Sequence, residues 1–181
     1  RYPSTAIIDL IRSGPLVAWL FIAFILLPDV LNPIWESDVV MRMILIISIF
    51  GGCYGAEIIR GGLQAVPFGQ IEAATALGLS RMQTKLLVEL PNAIRTTLPT
   101  IVSLFIGLWK DTTLLYLLGV HEMFNISTLA LTQQKEFLGL TRETLVYAGM
   151  AFWIVAFYLS RISLRIESGL GLGHEGGGEA T

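Results

Sequence analysis

Glu72-Ala73-Ala74-Thr75-Ala76-Leu77-Gly78, followed after nine residues by Val88-Glu89-Leu90-Pro91, lies in the longest polar interval of a chain otherwise built from membrane-length apolar runs. The interval from Ile58 to Arg95 is too polar to cross a bilayer and too patterned for an idle loop. Within it, Pro67-Phe68-Gly69 predicts a turn. Gln70 to Leu79 then has the helix formers for about three turns before Gly78-Leu79-Ser80 interrupts them. A short helix held between apolar spans sets the fold class, an all-α membrane protein.

Hydrophobic residues make up 54% of the chain and charged residues 14%, where a soluble domain carries about a quarter charged. A net charge of -2 and the lack of any Lys/Arg run argue against a nucleic-acid partner. Cys53 is the only cysteine, so no intrachain disulfide forms and the redox compartment stays open; no Cys/His cluster offers a metal site.

Four apolar runs approach the ~20 residues that a spanning helix needs. The first covers 6–27; because Leu16 to Leu27 is short alone, its helix is expected to start before Gly14-Pro15 and kink there. The second covers 39–57 and contains Arg42, expected to snorkel outward. The third covers 96–120 with Lys110-Asp111 inside it, and the fourth 144–161. The expectation is a bundle of about four transmembrane helices, with a cytoplasmic segment at 61–92 between the second and third. Gly61-Gly62 is expected to end the second helix, and Leu90-Pro91 and Leu98-Pro99 to punctuate entry into the third. Residues 168–181 hold six glycines in fourteen and read as a flexible cytoplasmic tail. Trp35, Tyr116, Trp153 and Tyr158 read as interfacial anchors or helix contacts.

Orientation follows from the basic residues. A cytoplasmic N-terminus puts Arg1, Arg12, Arg60, Arg81, Lys85, Arg95, Arg161 and Arg165 inside, against Lys110, Lys135 and Arg142 outside and Arg42 near the outer end of the second run. Both termini and the Glu-Ala-Ala segment are therefore expected in the cytoplasm.

Ala73, Ala74, Ala76 and Gly78 present almost no side-chain bulk, so a helix over Gln70 to Leu79 can press its backbone into a groove on another protein, with Ile71 and Leu77 as apolar anchors. Glu72, near the N-terminus of that helix, suits its dipole. The alternative is a helix lying on the membrane, but such helices favour bulky apolar and basic residues. Arg81, Lys85 and Glu89 follow at four-residue steps and read as a solvated face, Lys85 and Glu89 within reach of each other.

The Glu-Ala-Ala spacing resembles the cytoplasmic coupling motif of the permease subunits of bacterial ATP-binding-cassette importers. Ala56-Glu57-Ile58-Ile59-Arg60-Gly61-Gly62-Leu63-Gln64, Gly69-Gln70, Ala76-Leu77-Gly78, Leu90-Pro91, Leu98-Pro99 and Lys110-Asp111-Thr112-Thr113-Leu114 are similar to the polar amino-acid branch of that family. Phe105 to Leu114 and the ending Ala151-Phe152-Trp153-Ile154 to Ser160-Arg161 most resemble its general L-amino-acid permeases. The similarity runs to about Glu167. It implies a multi-pass protein of the bacterial inner membrane, paired with a second permease chain, identical or homologous. ABC ATPase subunits would bind beneath, and an extracytoplasmic amino-acid-binding protein would deliver substrate. The coupling residues it implies are Gln70, Glu72, Ala73, Ala74, Leu77, Gly78 and Arg81. The chain itself would bind no cofactor and perform no catalysis, ATP being used by the partner; none of its three lysines sits in a P-loop pattern. Permeases of this branch carry at least one more spanning helix upstream of Ile11-Arg12-Ser13-Gly14-Pro15. With Arg1 in first place, the sequence reads as a fragment lacking it.

Charge inside a bilayer is costly and marks function. Lys110 lies about fourteen residues past the start of the third run, which at roughly 1.5 Å per residue is about 20 Å up. Lys110 and Asp111, flanked by Thr112 and Thr113, offer both signs of charge and two hydroxyls to a zwitterion. Alternatively, these adjacent residues face different sides and pair with neighbouring helices. Glu57 is a further pathway candidate, although Arg60 at i,i+3 makes a structural ion pair the simpler reading; Asp9 and Arg12 share that spacing. His121 and Glu122 begin an outer segment reaching to Arg142, suited to a binding-protein contact or a solvated loop. Two other classes compete. An intramembrane enzyme would use Glu57, Asp111 and His121, but no motif assembles them. A non-transporting scaffold subunit would use the cytoplasmic helix alone, against which the charged pair in the third run speaks.

Overall fold

A computed structural model describes residues 2–31 and 36–171. Trp35 and the tail from 172 to 181 lie outside the described residues. Among the described residues the regular structure is all helical, as the composition and apolar runs require.

Helices α1 (Tyr2–Ser13) and α2 (Leu16–Ile25) meet at 95° across Gly14-Pro15, so the expected kink is a near right-angled elbow. Pro15 has no N–H for the Ile11 carbonyl four residues back, and in a straight helix its ring would strike that oxygen. The freed carbonyl is taken by Trp19, whose indole Nε1 donates to it at 3.0 Å. Gly14 leaves the room for this, since a Cβ there would stand 2.9 Å from Trp19 Nε1. Arg12 does not pair with Asp9; its guanidinium lies over the Tyr54 ring, 5.0 Å from the centroid. Trp19→Phe orphans the Ile11 carbonyl where no water replaces the donor, at an expected cost of about 1–3 kcal/mol. Thermal unfolding in detergent reads this as a lowered midpoint; an unchanged midpoint would remove the indole from any role in the elbow.

After α3 (Leu27–Leu31), α4 runs from Val39 to Gln64 and carries Gly61-Gly62 inside it rather than ending there. An interior glycine costs only about 1 kcal/mol. Here it allows close approach to α7 (Leu90–Asp111): a Cβ on Gly62 would strike the Thr97 methyl and sit 3.0 Å from the Ala93 carbonyl oxygen. α5 (Phe68–Ala76) starts directly after Pro67, so Phe68-Gly69 is its first turn, not a loop before it. α6 (Arg81–Thr84) opens on a capping box in which Ser80 and Gln83 satisfy each other's backbone N–H groups.

Between α6 and α7 the helix widens to a π turn over Lys85–Glu89, the Leu90 N–H reaching the Lys85 carbonyl. Pro91 explains the widening, because it can neither donate to Leu87 nor tolerate that carbonyl at normal pitch. The helical path thus begins at Arg81 rather than Thr96, and Pro99 lies inside α7. Past Asp111 the chain tightens into a 3₁₀ turn, Thr112–Leu118, which Gly119 ends at φ +69°. α8 (Met123–Asn125), a π turn at Ile126–Ala130, a 3₁₀ turn at Lys135–Phe137 and α9 (Thr141–Gly169) complete the order.

Val39–Gln64, Arg81–Leu118 and Thr141–Gly169 are each long and apolar enough to cross a membrane, and the α1–α2 pair makes four if it crosses as one. The chain forms two compact units, Arg1–Tyr54 with Phe105–Tyr158 and Gly55–Leu104 with Leu159–Thr181. The core of the first joins Leu16, Leu20 and Ala23 to Met43, Leu118 and Val120. Arg42 is buried in this unit, and its Nη1 turns back toward the start of α4 to reach the Ser37 carbonyl at 2.9 Å and hydroxyl at 3.1 Å. Its guanidinium thus ends on protein oxygens. The second unit buries small residues, Ala74, Thr84, Ala93, Thr97 and Ser163. Large apolar side chains such as Ile44, Trp153 and Tyr158 are exposed, a surface suited to lipid or another subunit.

Candidate coupling and translocation sites

The second unit carries the Glu-Ala-Ala segment. α5 ends in a Schellman motif: Gly78 N–H donates to Thr75 at 2.9 Å and Leu79 N–H to Ala74 at 3.1 Å. Gly78 holds φ +81°, which a residue with a Cβ adopts only at a cost of about 1–2 kcal/mol. Its place six residues after Glu72 therefore sets where α5 stops. Glu72, Ala73, Ala76, Leu77 and Gly78 are exposed, and Arg81 is exposed at the start of α6.

Ala74 faces inward and is buried, and Ile71 is half-buried, so these two hold α5 to its own chain rather than to a partner. Gln70 is exposed, but its Oε1 accepts from Asn92 Nδ2 at 2.6 Å, tying α5 to the start of α7. Asn92 carries no signal of this in the sequence, because the bond crosses 22 positions. Phe68, Leu77, Met82 and Leu87 are exposed large apolar residues of this segment; Phe68, Met82 and Leu87 were open to detection as bulky apolar residues stranded in a polar interval. Lys85 and Glu89 form no ion pair with each other among the described residues; Arg81 and Lys85 are exposed, but Glu89, at the end of the π turn, is half-buried, so the three do not share one solvated face.

Glu57 and Arg60, in the same unit, form the expected ion pair, with Arg60 Nε donating to Oε2 at 2.9 Å and Nη2 to Oε1. In the first unit, Lys110 is exposed and Asp111 half-buried. Thr112 Oγ1 donates to the Trp109 carbonyl at 2.7 Å and Thr113 Oγ1 to the Lys110 carbonyl at 2.8 Å. Both hydroxyl protons are thus committed to the backbone, leaving the oxygens as acceptors only. Trp109 packs on Phe152 at 5.5 Å, and its indole N–H is buried without a hydrogen-bond partner. Periodicity marks Trp109 only as one more apolar helix residue. Glu122 accepts from the Phe124 N–H at 2.7 Å and from that of Asn125, capping α8, and His121 Nδ1 meets Asn125 Oδ1 at 3.0 Å. These are structural contacts; among the described residues no three His, Cys, Asp or Glu side chains are grouped to hold a metal.

Residues 1–168 match the family of binding-protein-dependent transport system inner membrane components. The chain is 37% identical over 171 residues to a glutamate/glutamine/aspartate/asparagine transport system permease protein, BztC of Rhodobacter capsulatus, covering 94% of this chain and 39% of that protein. It is 36% identical over 167 residues to the inner membrane amino-acid ABC transporter permease protein YhdY of Escherichia coli K12, covering 92% of this chain and 45% of that one. It thus spans less than half the length of these relatives. A solved amino acid ABC transporter, crystallised with histidines, superposes at a TM-score of 0.75 and 23% identity, covering 89% of this chain and 72% of that chain, which supports the fold. On the match of residues 1–168, the chain belongs to the binding-protein-dependent transport system inner membrane components.

Proposed function

We propose that this chain is a permease subunit of an ATP-driven amino-acid importer, forming part of the translocation pathway and coupled to a separate ATPase through α5. The observation that carries the proposal is the family match together with an exposed helix of small residues, stopped at Gly78 and braced by the Gln70–Asn92 bond. A partner ATPase would receive Glu72, Ala73, Leu77, Gly78 and Arg81, with the exposed Phe68, Met82 and Leu87. Closure of the ATPase dimer on ATP would move α5 and, through Asn92, the start of α7. Hydrolysis would reset them. The excess of basic residues supports a cytoplasmic location for both termini and this segment. A second permease chain and an extracytoplasmic binding protein complete the assembly.

The cargo we assign is L-amino acids, in keeping with the amino-acid transport named for BztC and YhdY. Lys110 and Asp111 offer opposite charges, and the Trp109 N–H is an uncommitted donor beside them. Glu57, held by Arg60, is a structural member of the pathway wall rather than a ligand. The test is capture of an ATP-binding-cassette ATPase by the full-length protein in mild detergent, followed by amino-acid uptake in reconstituted vesicles. Lys110→Ala and Asp111→Asn are expected to lower uptake at least tenfold while ATPase capture stays intact. No ATPase in the purified material would overturn the importer assignment, and unchanged uptake in both variants would remove the pair from the pathway.

A further inference from the structure

We infer that α1 does not cross the membrane with α2 but lies flat in the bilayer interface, its apolar arc embedded in lipid. The first apolar run would then enter the hydrocarbon only at the elbow. This goes beyond the importer reading and does not depend on the ATPase.

The first ground is angular. Spanning helices tilt on average about 20° from the bilayer normal. A helix fixed at 95° to such a span runs close to the bilayer plane. The elbow is not a loose joint, because Trp19 holds the Ile11 carbonyl, Gly14 makes room for the indole, and Arg12 is laid over Tyr54.

The second ground is depth. Tyr54 lies fifteen residues after Val39 on α4, about 22 Å along a helix of ~1.5 Å rise. The hydrocarbon is about 30 Å thick, so the elbow beside Tyr54 stands roughly 8 Å inside its far edge. An interfacial helix buries its apolar face about 5–10 Å into that boundary. From the elbow, α2 and α3 carry ten and five helical residues, about 22 Å at the same rise if laid end to end, matching the roughly 22 Å left to the other surface without help from α1.

The third ground is the pattern of α1 itself. At 100° per residue, Ile7, Leu10 and Ile11 share one side, while Thr5, Asp9 and Ser13 share the other. Ile7 and Leu10 are exposed, at 58% and 65%. On α2, Phe21, Ile22 and Ile25 are exposed apolar residues as well, as a helix in lipid requires.

The test uses the full chain in liposomes, with Cys53→Ala removing the lone cysteine and one new cysteine at a time carrying a nitroxide. Ile7→Cys and Leu10→Cys are expected to report one common depth, about 5–10 Å below the headgroups, with high oxygen and low nickel-chelate collision rates. Thr5→Cys, Asp9→Cys and Ser13→Cys are expected to show the reverse. Phe21→Cys serves as the control that α2 is in hydrocarbon; a water-exposed label there would defeat the membrane placement of α2 and with it this inference. Depth that increases steadily from residue 5 to 13 would overturn it by making α1 part of the span. Nitroxides at Ile7 and Leu10 shielded from both oxygen and nickel would overturn it in favour of a protein partner.

Discussion

Glu72→Lys and Gly78→Trp are each expected to abolish coupled uptake while leaving the protein inserted in the membrane. Glu72 is exposed at the middle of α5, past its first turn; because the helix begins at Phe68 rather than Gln70, the expected dipole contribution is lost and the carboxylate acts as a surface charge. Inverting its charge acts at a surface proposed to be desolvated by the ATPase. Losing an anchor of such an interface costs about 2 kcal/mol or more, roughly thirtyfold in association. Gly78→Trp adds bulk at a position of open space but forces a residue with a Cβ into φ +81°. Gly78→Ala separates the two effects, since it carries the backbone strain without the bulk. Co-purification of the ATPase and ATP-driven uptake are measured on the same preparations; unchanged ATPase association in both Glu72→Lys and Gly78→Trp defeats the coupling assignment.

Gly62→Ala is the most damaging single methyl group that can be added to the second unit. Its Cβ collides with the Thr97 methyl and presses on the Ala93 carbonyl, both on a helix that is already close-packed. Ala93 and Thr97 are themselves buried, and Thr97 Oγ1 donates to the Ala93 carbonyl at 2.7 Å, so neither has room to yield. Overpacking of this kind costs about 1–3 kcal/mol. The expected result is a lowered thermal midpoint in detergent, partly restored in the double variant Gly62→Ala, Thr97→Ser, which removes the clashing methyl. A double variant no more stable than Gly62→Ala alone would show that the two residues do not meet. Gly61, one position away, has open space around its Cβ, and Gly61→Ala is the neutral control.

Apolar runs and glycine–proline punctuation made most of the fold legible in the sequence. The long helices α4, α7 and α9 follow from length and hydropathy, and the break at Gly14-Pro15 from the proline rule. What pattern does not carry is distance between segments. Gly61-Gly62 is expected to end a helix, because a glycine pair reads the same whether it stops a helix or lets another approach. Only the position of Ala93 and Thr97 decides which. The same limit hid the Gln70–Asn92 bond and the inward turn of Ala74, since small residues on one short helix look alike until a neighbour covers some of them. The Thr112 and Thr113 hydroxyls read as ligands because residue type reports capacity, whereas their geometry spends it on the preceding turn. Glu57–Arg60 was readable because both partners lie on one helix, where spacing alone fixes proximity.

The stop at Gly78 also sets a phase. Pro67 and Gly78 bracket α5 so that Glu72, Leu77 and the capped turn hold fixed rotations about one short axis. One residue inserted between them would turn everything on one side by about 100° relative to the other. A deletion would do the same in the opposite sense. Length in this segment is therefore as binding as residue identity, and homologous permeases exchanged across the proposed ATPase contact should tolerate substitutions between Pro67 and Gly78 away from Glu72 but no change in count.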